Sequence, residues 1–434
     1  MEGIVLNSGD TAWILASTAL VLLMTPGLAF FYGGMVRTKS VLNMMMMSII
    51  TIAIVSILWV IYGFELAFGY KAESAWYGNI SFSGLGSQVN EFTNNGGVYP
   101  IPVLVFAAFQ LMFAIITPAL ISGAIADRAK FSAWAVFVAI WSTVVYFPVA
   151  HWVFAFGNKV GDTVTGTGFL AGRGVEDFAG GTAVHINAGA AALALAIILG
   201  KRHGWRKDPM RPHSLPLVML GAGLLWFGWF GFNAGSSLAA NGIAGLALMN
   251  TQVATAGAII GWLLVERIRN GHATSLGAAS GAVAGLVAIT PACAFVAPWA
   301  AVVIGFIAGI LCSLAVGLKY IFKIDDSLDV VGVHLVGGIW GSLSIGIFGS
   351  SAVNSIGLDG LAYGGGSALL SKQLLGVGLV FAYSFVATLI IGFAIEKTMG
   401  FRIKRESELE GIDLVEHAES AYEFAGTTRG GSSL

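Results

Sequence analysis

The sequence is poor in charged residues. Asp, Glu, Lys and Arg make up 10% of its 434 residues, whereas a soluble domain averages about 25%. This shortage, together with a hydrophobic fraction of 56% and a mean hydropathy of +0.83, excludes a soluble globular enzyme and a disordered chain. The formal net charge of −1 gives no overall attraction to phosphates, so we expect no nucleic-acid partner. The composition predicts a membrane protein.

Cysteine is also scarce. The two cysteines, Cys293 and Cys312, lie in apolar runs, which excludes a disulfide scaffold and a CxxC metal site. The sequence also lacks a nucleophile elbow, a P-loop and an HExxH motif, the local signatures of several large enzyme classes. We therefore expect no enzyme activity, no cofactor and no metal site.

Long hydrophobic runs are abundant. A helix of about 20 apolar residues crosses a bilayer core of roughly 30 Å, and eleven such runs can be read in the sequence. They predict an all-α polytopic membrane protein with eleven transmembrane helices, of which the eighth is short and rich in glycine. The first run lacks the basic segment and cleavage site of a signal peptide. The runs are 11–33, 41–64, 99–125, 131–154, 177–200, 215–235, 245–265, 273–290, 296–318, 330–350 and 373–396.

The basic residues predict the orientation of these helices. With the N-terminus outside, 18 of the 22 Lys and Arg residues fall in the inner connections and the C-terminal segment. The positive-inside rule therefore predicts a multi-pass protein of the cytoplasmic membrane with the N-terminus outside and the C-terminus in the cytoplasm. We divide the chain into a membrane domain at 1–400 and a cytoplasmic regulatory tail at 401–434, whose first part mixes both charges with periodic apolar positions and is able to dock on another surface.

The fifth and tenth runs open alike. DFAGGTAVHINAG at 177–189 and SLDVVGVHLVGG at 327–338 align with His185 on His334 and Gly189 on Gly338. Because these two helices enter from opposite sides, the match predicts a 5+5 inverted-topology repeat, with halves at about 11–200 and 215–350 and an added eleventh helix at 373–396. Such repeats place the working site near the midplane of the membrane.

His185 and His334 are therefore the main functional candidates, because ionisable residues inside a membrane are costly. Two adjacent imidazoles can share one proton and line a pore. Two alternatives remain open: histidines bonded to backbone carbonyls, or ligands of one haem iron. For His151, at the outer end of the fourth helix, a structural role is favoured.

Acidic and aromatic residues near these helices each have two interpretations. Asp177 can cap the fifth helix or supply a fixed negative charge below an outer vestibule, and Asp329 is the expected cap of the tenth helix. Phe113, Trp229 and Phe232 have the spacing of ordinary packing residues, although aromatic faces also attract small cations.

Several long motifs together resemble the Amt/Mep/Rh family of ammonium transporters, on its bacterial Amt branch. They are PGLAFFYGGMVR, ISGAIADRAKFSAW, DFAGGTAVHINAG, WFGFNAGS, GAASGAVAGLVAITPAC and the DxxxxHxxGG arrangement at 329–338. The resemblance covers about residues 10–425 and implies a homotrimer in which each subunit has its own narrow hydrophobic pore.

The resemblance also implies roles for individual residues. It implies pore histidines at His185 and His334, a phenylalanine gate at Phe113 and Phe232, a pore tryptophan at Trp229, and an outer recruitment site at Asp177, Ser236 and Phe154. Many family members carry Trp at the position of Phe154. Phenylalanine has the weaker quadrupole and no N–H group, so we expect a weaker cation–π contribution at this outer site.

The implied function is ammonium uptake. Ammonium would be recruited and deprotonated outside, and NH3 would pass the histidines while a proton moves separately; the resemblance favours net NH4+ movement. The alternatives are an electroneutral Rh-like NH3 or CO2 channel and an ammonium sensor that signals through its tail. A PII-class nitrogen-signalling protein is an expected partner at the cytoplasmic face.

Overall fold

The computed structural model describes residues 6–69, 74–82, 84–88, 100–160, 163–208 and 210–422, which form a bundle of helices. The α-helices are α1 (Ser8–Met35), α2 (Val41–Leu58), α3 (Phe64–Phe68), α4 (Val103–Ile121), α5 (Phe131–Trp141), α6 (Phe147–Phe154), α7 (Asn187–Leu199), α8 (Leu215–Gly235), α9 (Gly242–Asn270), α10 (Ser275–Ile289), α11 (Pro298–Ala315), α12 (Leu318–Phe322), α13 (Val336–Phe348), α14 (Ala368–Thr398), α15 (Arg405–Glu410) and α16 (Ile412–His417).

Four π-helical segments interrupt or precede these helices: Trp59–Gly63, Ser142–Tyr146, Gly181–Ile186 and Val331–Leu335. Within the described residues the strands are limited to one antiparallel hairpin, β1 (Phe156–Val160) and β2 (Thr163–Thr167), in the connection after α6. We call the end of the bundle with this hairpin the hairpin end, and the opposite end, where α15 and α16 lie, the tail end.

Ten helical segments in the described residues are long and apolar enough to cross a membrane. They match ten of the eleven predicted runs, so the chain is a multi-pass membrane protein. The predicted eighth run corresponds to α10, whose 15 residues span only about 22 Å. The chain beyond α10 continues in turns, where the Asn250 side chain donates to the carbonyls of Cys293 and Val296 at 2.7 and 2.8 Å. The count of eleven spans therefore stays a prediction.

Small residues let the long helices touch along their backbones. A Cβ atom on Gly221 of α8 would lie 2.3 Å from the backbone nitrogen of Phe31 in α1, and one on Gly305 of α11 would lie 1.9 Å from the carbonyl oxygen of Ala254 in α9. Neither contact admits a side chain. Membrane helices associate through such close backbone packing because lipid provides no hydrophobic force between them.

The tail lies on connections of its own chain at the tail end of the bundle. Asp413 accepts hydrogen bonds from the backbone N–H groups of Leu42 and Asn43 at 2.9 and 2.8 Å, and Glu416 accepts one from Phe131 at 3.0 Å. These acceptors sit at the first turns of α2 and α5, where N–H groups lack helical partners and a negative charge is favourable. Glu408 accepts a further hydrogen bond from the backbone N–H of His203.

A buried ion-pair network lies under the tail. The Arg202 guanidinium donates to both carboxylate oxygens of Asp325 at 2.9 Å and to Asp127 at 3.2 Å. Burial alone would raise the pKa of Asp127, but the charges of Arg202 and Arg37 outweigh it and hold that pKa below its ordinary value. The network ties the connection after α4 to the connections before α8 and before α13.

Candidate functional site

The two candidate histidines meet in the middle of the bundle. His185 and His334 are both buried, and their Nδ1 atoms lie 3.2 Å apart. Each histidine occupies a π-helical segment, and each segment runs directly into a 13-residue α-helix, α7 or α13. The sequence alignment of the two segments is thus matched by an alignment of their local structures.

Glycines bring the two histidine helices together. A Cβ atom on Gly189 would lie 2.6 Å from the backbone nitrogen of Leu335, the residue after His334. A Cβ atom on Gly338 would lie 3.1 Å from the Cβ atom of His185. Each of these glycines lies four positions after one histidine and packs directly against the segment that carries the other histidine. This close packing of the two segments sets the distance between the two imidazole rings.

An aspartate eight positions before each histidine caps its segment. Asp177 accepts backbone N–H groups of Gly180 and Gly181 at 2.7 Å through Oδ1, and those of Thr182 and Ala183 at 2.8 and 3.3 Å through Oδ2. The Thr182 hydroxyl also donates to Oδ2. Five donors therefore engage both oxygens, and the carboxylate has no free acceptor position for a ligand.

The expectation that Asp329 caps the tenth helix is wrong. Asp326 accepts the N–H groups of Val330 and Val331 at 3.1 and 2.8 Å, whereas Asp329 has a φ of +63° and pairs with Lys319 Nζ at 2.6 Å. The left-handed backbone at position 329 turns its carboxylate away from the helix start. Asp326 also matches Asp177 in its spacing from the histidine.

Aromatic rings form a continuous stack toward the hairpin end. The ring of His185 lies 5.4 Å from that of Trp229, at an interplanar angle of 19°, and 6.2 Å from that of Phe232. The rings of Phe232 and Phe113 are 4.2 Å apart. The Trp229 indole N–H donates to Thr290 Oγ1 at 2.8 Å, which fixes the orientation of the indole.

A small cavity lies above the phenylalanine pair. Its volume is about 40 Å³, and three predicted site residues, Phe113, Phe154 and Ser236, line it. The Ser236 hydroxyl donates to the carbonyl of Phe232 at 2.8 Å, so its oxygen lone pairs are left as acceptors. Asp177 does not line the cavity, although its neighbour Phe178 does.

Comparison with known proteins identifies the family. The family model described as Ammonium Transporter Family matches residues 12–422. The chain is 55% identical to an ammonium transporter of Mycobacterium tuberculosis, over 96% of this chain and 91% of the relative. The chain belongs to the ammonium transporter family. The resemblance inferred from the sequence motifs is thereby confirmed.

Solved structures of the ammonium transporter family share this fold. The crystal structure of Saccharomyces cerevisiae Mep2 matches with a TM-score of 0.83 and 34% identity, covering 92% of this chain and 91% of that one. A structure titled as a sensor Amt protein matches with a TM-score of 0.83 and 30% identity, covering 94% and 98%. The family is one of transporters.

Some residues that line the small cavity were not predicted from the sequence. Phe106, Gln110, Phe156 and Phe178 also line the cavity. Gln110 carried a usable signal, because a polar amide inside an otherwise apolar run is itself unusual. The aromatic residues carried none, since nothing in their spacing separates a cavity wall from ordinary packing.

A further acidic residue, Glu176, directly precedes Asp177, the residue that caps the first histidine segment. Glu176 accepts the backbone N–H of Leu358 at 2.8 Å through Oε1, and its backbone N–H and carbonyl are both held by the Gln373 amide, at 2.8 and 2.7 Å. Burial raises the pKa of Glu176 to about 7. The hydrogen bond from the Leu358 N–H and the charge of Lys372 lower this pKa, but burial outweighs them.

Proposed function

We propose that the chain takes up ammonium across the cytoplasmic membrane, through a hydrophobic pore in which His185 and His334 carry the polar contacts. The observation that supports this most directly is the 3.2 Å approach of the two Nδ1 atoms beneath the Phe113–Phe232 pair, in a chain of the ammonium transporter family. In this proposal the hairpin end faces outward and the tail end faces the cytoplasm, in line with the positive-inside rule.

Recruitment takes place in the cavity at the hairpin end. Asp177 is 6% exposed, and its negative charge stabilises a cation nearby without contacting it. The Ser236 oxygen accepts an N–H of ammonium, and the Phe154 ring offers its negative face. Cation–π contacts are worth about 0.5–1 kcal/mol at exposed sites and more in desolvated ones.

Ammonium gives up its proton to water at the outer cavity before NH3 passes between the phenylalanines, and for net NH4+ movement that proton crosses separately, by water and the histidine pair. The two stacked rings offer no hydrogen-bond acceptor, and an ion that enters an apolar passage loses hydration that nothing there replaces. The same step costs neutral NH3 far less desolvation free energy. Selectivity against potassium follows, because potassium has no proton to lose and remains charged.

The histidine pair receives NH3 below this gate. When the two Nδ1 atoms share one proton, one ring donates and the other accepts, so the two Nε2 atoms have opposite characters. One Nε2 is then an N–H donor to NH3, and the other is an acceptor. The 3.2 Å separation suits this shared hydrogen bond, whereas two nitrogens on opposite sides of one metal would lie about 4 Å apart, twice a typical metal–imidazole bond.

Recording from proteoliposomes tests the mechanism. Pulses of ammonium should give inward current in the wild type, and His185→Ala and His334→Ala should each abolish it. His272→Ala, at an exposed loop histidine, is the matched control and should retain the wild-type current. Selective wild-type current in both pore variants would exclude the paired-histidine mechanism.

Potassium pulses and a parallel flux measurement separate the alternatives. Ammonium current without potassium current supports net NH4+ movement. Unsaturable alkalinisation without current would instead indicate an electroneutral NH3 channel, and failure to move either species in an intact wild-type protein would indicate a sensor.

We further propose that the chain works as a homotrimer with one pore per subunit, built from the 5+5 inverted repeat. The tail, anchored through Asp413, Glu416 and Glu408, is proposed to regulate transport and to form part of the surface that a PII-class protein recognises. Its contacts with connections of its own chain support the first role. Cross-linking in native membranes tests the trimer, and pull-down with a purified PII-class protein tests the partner.

A further inference from the structure

A second cavity lies at the tail end, between two segments that are distant in sequence. Its volume is about 600 Å³, within the range of small-molecule sites. One wall is the loop 201–208, and the other is the start of the tail. The residues that line it are Lys201, Arg202, His203, Gly204, Trp205, Lys207, Asp208, Arg402, Arg405 and Glu408.

Two of the cations in this cavity are already neutralised. Arg202 is paired with Asp325 and Asp127. Arg402 donates to Glu408 Oε2 at 2.8 Å and to the carbonyl of Leu199 at 2.7 Å. The other oxygen of Glu408 accepts the backbone N–H of His203, so this carboxylate is fully engaged.

Three further cations have no such partner. Lys201, Lys207 and Arg405 form no ion pair with any residue that the structure describes, and all three are exposed. Lys201 Nζ lies 5.3 Å from the centre of the Trp205 ring. Against these three charges, Asp208 is the one acidic lining residue outside the pairs above, so the cavity keeps an excess of positive charge.

The loop holds its lysines in place through its own backbone. Trp205 donates to the carbonyl of Arg202 at 3.1 Å, and Lys207 and Asp208 both donate to that of Gly204 at 2.8 Å. Gly204 has a φ of +78°, a conformation that glycine adopts without strain. Two consecutive turns therefore bring Lys201 and Lys207 to the same cavity, opposite Arg405 on α15.

We propose that this cavity is a binding site for a phosphate-bearing anion. Phosphate oxygens accept hydrogen bonds from several donors at once, and an arginine fork and lysine ammonium groups are the usual protein partners. Lys201 and Lys207 contact the anion from the loop, and Arg405 contacts it from the tail. The bound anion cross-links the two segments and holds α15 in its docked position. The site is independent of the pore mechanism.

Binding of inorganic pyrophosphate to the purified full-length protein tests the proposal. Calorimetric titration is made in neutral detergent at physiological ionic strength, with trypsin cleavage of the tail as a second measurement. We expect saturable binding that protects the tail. The triple variant Lys201→Gln, Lys207→Gln, Arg405→Gln should bind at least about ten-fold more weakly, a loss of about 1.4 kcal/mol or more.

A matched variant controls for net charge. Lys323→Gln, Lys397→Gln, Lys404→Gln removes the same number of exposed positive charges outside the cavity, and its affinity should stay within about two-fold of the wild type. The conservative variant Lys201→Arg, Lys207→Arg keeps the charges and should keep binding, which separates lost recognition from misfolding.

The source of the phosphate group is distinguished in nanodiscs of phosphatidylcholine with and without phosphatidic acid. Tail protection by pyrophosphate in plain nanodiscs indicates a soluble ligand, and protection by phosphatidic acid alone indicates a lipid headgroup. The proposal is overturned if neither protects the tail, or if the cavity triple variant binds as tightly as the control variant.

Discussion

Replacing Asp177 by asparagine is expected to weaken the start of the histidine segment as well as remove a charge. From sequence alone, this change looks like one that keeps a capping acceptor and deletes only the negative charge. The structure shows both carboxylate oxygens in use: Oδ1 accepts from two backbone N–H groups, and Oδ2 accepts from two more and from the Thr182 hydroxyl.

The magnitude follows from this geometry. Asparagine satisfies the donors at one oxygen but presents its NH2 group to the donors at the other. Hydrogen bonds to a charged group are worth about 1.5–3 kcal/mol each, and buried donors left without partners cost about 1–3 kcal/mol. The Thr182 hydroxyl can rotate and accept from this NH2 group, but the backbone N–H groups of Thr182 and Ala183 then face another donor, so we expect a loss of about 2–4 kcal/mol.

Two measurements on each variant separate stability from transport: the thermal unfolding midpoint in detergent, and ammonium current per reconstituted protein. Asp177→Asn should lower both. Thr182→Ala is the control, because it removes one hydroxyl donor, keeps the charge, and should cost only about 1 kcal/mol while retaining current.

Each measurement can refute a different part of the reasoning. An Asp177→Asn protein that unfolds at the wild-type temperature would show that the capping contacts contribute little. A destabilised variant with full current would show that the charge does not recruit ammonium.

Three further predictions concern single substitutions, the first of them with a matched control. Gly221→Ala should cost about 1–3 kcal/mol by forcing α1 and α8 apart, whereas Gly223→Ala, where a Cβ atom meets nothing within 4 Å, should leave the unfolding midpoint unchanged. Burial raises the pKa of Glu176 in the folded protein to about 7, above its ordinary value of 4.5, so protonation of this carboxyl favours the folded state. Its contribution to stability should be fully present below pH of about 4.5 and be lost as the pH rises through about 7. Glu176→Gln should flatten this pH dependence in thermal unfolding measured between pH 5 and 8. Phe154→Trp should lower the ammonium concentration for half-maximal current by up to about five-fold, equivalent to about 1 kcal/mol of cation–π attraction; unchanged or weaker apparent affinity would remove Phe154 from the recruitment site.

The features that the sequence predicted well are those set by hydropathy and local motif. Ten of the predicted runs correspond to long apolar helices because the cost of placing polar backbone and side chains in lipid leaves few alternatives. His185 and His334 are predictable because an ionisable residue in such a run is unlike its apolar surroundings, and the structure brings them together.

Features that depend on backbone detail were not predictable in the same way. A helical hydropathy pattern does not distinguish a π-helical segment from an α-helix, so the π-helical form of the segments that carry the histidines has no signature in the sequence. The sequence interpretation favours Asp329 over Asp325 and Asp326 as the cap, and only the positive φ of Asp329 and its contact with Lys319 show why Asp326 takes that place. The short α10 was equally ambiguous, because apolar composition does not specify where a helix gives way to turns.

The two helices of the tail have a consequence for how the tail can detach. Each is six residues long, well below the roughly 12–15 residues that an isolated helix needs to be even marginally stable in water. The helical form of α15 and α16 therefore depends on the contacts that Glu408, Asp413 and Glu416 make with the connections at the tail end of the bundle. Detachment and unfolding of these two helices are therefore one coupled transition. Release converts a docked, helical segment into an unfolded one, whose end can reach much farther from the bundle.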